Sequence, residues 1–125
     1  MSATQRLLKI IEEDDYILHL RTTGRWSQEA FETLAYAMEA AVLECHGHDV
    51  VPACLLPIFF NYPVRLEKIT SHPDFVRIQV EADEAMHRKL ELAWSRLRHL
   101  QRCFFDRLSL SAQPHPRNWP GKPDV

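Results

Sequence analysis

The chain has 125 residues, 46% of them apolar and 26% charged, with a formal net charge of −2. That is enough for one domain with a real core, without the basic excess usual in DNA-binding domains. No run approaches the roughly 18 apolar residues of a membrane span, and the start MSATQRLLKIIEEDD lacks a signal-peptide pattern, so a cytoplasmic protein without a membrane partner is expected. Cys45, Cys54 and Cys103 cannot all pair within one chain, and reduced, mostly buried thiols are expected. The small net charge hides a polarity: residues 1–50 hold nine acidic against four basic side chains, and residues 51–125 hold eight against eleven. Two such halves either pair with each other or leave an acidic patch for a basic partner.

The first predicted helix covers residues 3–13, with Leu7, Leu8, Ile10 and Ile11 on its face and Thr4 as cap. Residues 15–23, DYILHLRTT, alternate like a strand but also suit a helix stopped by Gly24; helix is preferred for want of strand partners. A second secure helix begins after Ser27, a good N-cap, and buries Phe31, Leu34, Ala35, Met38, Val42 and Cys45 before ending near Gly47. Pro52 is placed to start another helix through ACLLPIFFNY, which Pro57 is expected to kink or split, and Pro63 to begin a further segment, VRLEKIT. Ser71 is read as the cap of a helix entering at Pro73, with a strand over 75–80 as the minority alternative.

Residues 81–109 carry the strongest pattern. Met86, Leu90, Ala93, Leu97, Leu100, Phe104 and Leu108 recur at steps of three and four, which lines them along one face of a long helix. Trp94 and Phe105 lie together beside that stripe and widen it. In Phe59-Phe60 and Phe104-Phe105 the two rings point about 100° apart, so that one of each pair can sit at an edge. Residues 110–125 contain four prolines and are expected to form a flexible tail, with Trp119 its one adhesive residue. The expected fold is therefore mainly α: a single-domain bundle of five to six helices over residues 3–109 with a long C-terminal helix. The alternative is an α+β fold with a short strand at 15–23.

Residues 15–43, DYILHLRTTGRWSQEAFETLAYAMEAAVL, faintly resemble the opening strand–Gly–helix unit of STAS-like anti-sigma antagonist domains. The likeness covers about a quarter of the chain and implies a strand over its first residues. The family's next element is a buried strand, where this chain has VVPACLLPIFF with two prolines, and no functional residue carries over.

Catalytic signatures are missing. Three glycines cannot build a phosphate-cradling loop, and there is no Gly-x-Ser-x-Gly elbow. Cys45, His46, His48 and Asp49 are metal-ligand types at a helix end, but their spacing is too tight for all to hold one ion. His99 and Cys103 are helical neighbours, a weak hint of an activated thiol. Arg88, Lys89, Arg96, Arg98, Arg102 and Arg107 do not share one face; they are expected to lay their stems along the apolar stripe with wet heads.

The expected role is a non-catalytic, bacterial-type cytosolic protein-binding module without a cofactor, of the kind represented by immunity proteins or antitoxins that block a basic toxin. Glu12, Glu13, Asp14 and Asp15, then Trp94 and Phe105, are the candidate docking residues. A nucleic-acid-associated regulator and a metal-dependent enzyme or sensor centred on Cys45–Asp49 are the alternatives, and a homodimer through the long helix is compatible with each.

Overall fold

The computed structural model describes residues 2–46, 48, 50–81 and 83–106. Over them the chain is helical without a strand, in the order α1 (Ala3–Glu13), α2 (Tyr16–Thr23), α3 (Gln28–Cys45), α4 (Leu55–Thr70), α5 (Pro73–Phe75, continued by a π-helical turn Val76–Val80) and α6 (Glu84–Asp106). Helices α3 and α6 pack against each other, α1 covers α3, α4 covers α6, and α2 closes the bundle between α3 and α4. No described helix is long and apolar enough to cross a membrane. Arg107, Leu108 and the tail 110–125 lie outside the described residues, so the 3–109 domain boundary is not resolved by them.

Local chemistry explains most of the boundaries. Ser2 caps α1 through a reciprocal box with Gln5, so Thr4 is not the cap; it lies inside the helix, buried, and donates to Glu44 Oε1. The region read as strand or helix is helix: Asp15 caps α2 by accepting from Leu18 N, and Gly24 ends it in the left-handed conformation (φ 68°). That helix removes the basis of the STAS-like resemblance, whose first element is a strand. Ser27 caps α3 as expected by accepting from Ala30 N.

The prolines behave differently from expectation. Pro57 falls in the first turn of α4, where backbone N–H groups have no intrahelical acceptor, so the helix continues unbroken. Pro63 lies inside α4 rather than at the start of a new segment. Its missing N–H orphans the carbonyl of Phe59, four residues earlier, and Gln101 of α6 supplies a replacement. The Gln101 Nε2 donates to Phe59 O at 3.0 Å and lies 3.3 Å from Phe60 O. Ser71 retains helical backbone at the end of α4, whereas His72, pushed to extended geometry by the following Pro73, takes the cap position of α5 and accepts from Asp74 N. The minority strand over 75–80 is absent.

The stripe on α6 is buried as expected at Met86, Leu90, Ala93, Leu97, Leu100 and Phe104. One member of that helix departs from expectation. Arg96 is fully buried, with its guanidinium paired to Glu32 of α3 and centred 4.4 Å from the Tyr36 ring and 5.9 Å from the Phe31 ring. Among the described residues its Nε and Nη2 have no hydrogen-bond acceptor, so the aromatic faces are the surroundings that offset the cost of burying them.

Candidate docking groove between α4 and α6

On α4, Leu56, Phe60 and Val64 follow at steps of four and therefore share a face. That face is exposed: 43% for Leu56, 64% for Phe60 and 54% for Val64. Beside it on α6 stands Phe105, 47% exposed, its ring edge-on to Phe60 at 6.5 Å. The two helices run antiparallel here, since Phe60 meets Phe105 while Glu67 meets Arg98. Between them lies an open groove of about 570 Å³ lined by Phe60, Pro63, Val64, Gln101, Arg102 and Phe105, with the Glu67–Arg98 pair at one end.

The exposed rings are anchored from below. Phe59 and Phe104, both buried, stack at 4.3 Å and 5° between planes; Phe105 sits edge-on to Phe104 at 5.2 Å, and Phe60 edge-on to Phe105. A four-ring series thus connects the core to the surface, which restricts the outer rings. Each adjacent phenylalanine pair splits as the helical geometry requires, one ring inward and one outward.

The rim is polar and mostly cationic. Arg98 grips Glu67 through Nε–Oε2 at 2.9 Å and Nη2–Oε1 at 2.6 Å. Among the described residues Arg102 has no carboxylate partner, and its charge, after burial, helps to hold His99 below its ordinary pKa. His99 Nε2 lies 3.5 Å from the Sγ of Cys103, which is buried.

The sequence candidates are dispersed. Phe105 lines the groove, but Trp94 does not: it is half-buried about one turn beyond the Glu67–Arg98 pair, donating its indole N–H to the Thr70 hydroxyl at 2.8 Å. Glu12, Glu13 and Asp14 are exposed at the α1–α2 corner, with Glu13 3.9 Å from Lys9. Asp15 is engaged as the α2 cap and as acceptor for the buried Tyr62 hydroxyl. Beside this corner is a hollow of about 250 Å³ lined by Ile10, Asp14, Tyr16, Glu29 and Thr33 among others. Cys45 is buried in the core, His46 half-buried and His48 exposed, while Asp49 lies outside the described residues. Among the described residues no three His, Cys, Asp or Glu side chains converge as a metal would need. The three cysteines are free of disulfides, two of them buried.

Leu56, Phe60, Val64, Gln101 and Arg102 were not singled out as a surface from sequence. Their four-residue spacing on α4 is visible there, but only to a reader who lets the helix run through both prolines. No protein-family model matches the chain, and no curated protein or solved structure is significantly similar to it.

Proposed function

We propose that this chain is a non-catalytic protein-binding module, acting in the cytosol, that docks another protein through the α4/α6 groove. The observation that carries this is the exposed apolar face of Leu56, Phe60, Val64 and Phe105, its two rings packed in series onto buried Phe104 and Phe59, with arginines beside it. Aromatic anchors with arginine beside them are the composition in which binding energy concentrates. Isolated exposed carboxylates such as Glu12, Glu13 and Asp14 contribute less each, because water and salt screen them. Within this role an immunity-protein or antitoxin-like inhibitor is the narrower proposal. Its support is the small size and the acidic α1–α2 corner, which would add attraction to a basic toxin.

The test compares the wild-type chain with a Phe60→Ser/Phe105→Ser variant as bait in its native host. A protein retained by the wild type is then purified and its affinity for both measured by calorimetry. The proposal expects at least a tenfold loss in the variant. A native partner that binds both equally overturns the groove as the docking surface, and loss confined to a Glu12→Lys/Glu13→Lys/Asp14→Lys variant moves the surface to the acidic corner.

A further inference from the structure

Resting on the docking role of this groove, its shape and charge narrow the occupant. We propose that the α4/α6 groove seats a short amphipathic helix of a partner protein, one that carries an acidic residue beside its apolar stripe. From Phe60 to Glu67 on one wall, and from Arg98 to Phe105 on the other, the groove spans eight residues, seven steps of 1.5 Å or about 10 Å. That is two helical turns. The furrow between two antiparallel helices is where a third helix nests its side-chain ridge, and two turns accept anchors at i, i+4 and i+7.

Charge selects among such helices. The Glu67–Arg98 pair is internally neutral, which leaves Arg102 as the uncompensated charge among the described lining residues. A carboxylate next to the apolar stripe would meet it, and a lysine there would be repelled. The same charge disfavours a second copy of this chain: around a two-fold axis across the middle of the groove, Arg102 would approach its own counterpart.

The probes are three fluorescently labelled synthetic peptides. One is helical, with Leu and Phe at i, i+4 and i+7 and Glu flanking them; the second replaces each Glu by Lys; the third is a scramble of the first. Anisotropy against the full chain is expected to show the acidic peptide binding at least tenfold tighter than the other two. Phe60→Ser should weaken it tenfold or more, and Arg102→Glu should reverse the preference toward the lysine peptide. All of these side chains are exposed, so circular dichroism should show each variant folded. Equal affinities, no binding by any peptide, or a preference unchanged in Arg102→Glu overturns the inference. So does concentration-dependent self-association abolished by Phe60→Ser. If the native partner still depends on Phe60 and Phe105 while the peptides are not discriminated, docking stands and only the helical, acidic occupant falls.

Discussion

Replacing Gln101 by alanine removes the side-chain donor that stands in for the backbone N–H that Pro63 lacks. Phe59 is fully buried, so its carbonyl is left unsatisfied or reached only by water entering where the half-buried Gln101 was. A buried acceptor without a partner costs about 1–3 kcal/mol, and partial water access places the expected loss at about 1–2 kcal/mol. The decisive measurement is the same substitution in a Pro63→Ala background. Alanine restores an N–H that can bond to Phe59 O within α4, so Gln101 becomes dispensable there and its removal should cost less than about 0.5 kcal/mol. The coupling between the two sites is then about 1 kcal/mol, within the range for residues that share a hydrogen-bonded group. Urea unfolding followed by circular dichroism, at constant m, reads all four corners of the cycle. In thermal unfolding the same coupling amounts to about 4 °C for a domain this size. A Gln101→Ala cost that is equal in both backgrounds, or absent in the first, refutes the assignment of Gln101 as the substitute donor.

The buried ion pair makes a second case. Arg96→Ala is expected to lose about 3–5 kcal/mol, because it opens a cavity in the core and leaves the half-buried Glu32 carboxylate, among the described residues, only its hydrogen bond from Gln28 Nε2, while the double change Arg96→Met/Glu32→Leu should recover most of it. Thermal unfolding that finds the double variant as weak as Arg96→Ala would contradict this. Glu44 accepts from the N–H groups of Ala3 and Thr4, chiefly Ala3, which holds its carboxyl below the ordinary range. Its contribution is therefore present above the ordinary carboxylate pKa and lost as pH falls through the lower folded value, so wild-type stability should drop more on acidification than that of Glu44→Ala in urea melts. Tyr62 behaves with the opposite sign. Burial, then the charge and hydrogen bond of Asp15, push its hydroxyl from 10.0 up to about 12, so its stabilisation holds below 10.0 and disappears as pH rises through about 12. Absorbance titration of tyrosinate in wild type and Tyr62→Phe should show one late-ionising group missing from the variant.

Much of the architecture was legible in the chain because helix faces and caps are local properties. The three-four rhythm of α6, the Ser27 cap and the Gly24 stop each depend on residues within one or two turns. The proposed docking face is only half legible. Phe105 stands out beside the α6 stripe, but its companions on α4 share a face only if the helix runs through Pro57 and Pro63. Pro57 is harmless because it falls in the first turn, and Pro63 is tolerated because α6 repairs its missing bond. The first follows from α4 starting at Leu55 rather than Pro52, a shift of three residues; the second depends on a side chain 38 positions away along the chain.

What the amino-acid order determines unaided is where the chain coils and which sides of each coil are greasy, since both follow from periodicity and end chemistry. Which of two adjacent phenylalanines faces water, and whether an arginine at the edge of a stripe is wet or buried, depends on the neighbouring helix. Arg96 is buried only because α3 brings Glu32, Tyr36 and Phe31 to it, and Phe60 is exposed because no described helix covers that side of α4. Those choices belong to the tertiary structure, because the desolvation or packing that decides them comes from groups distant in sequence.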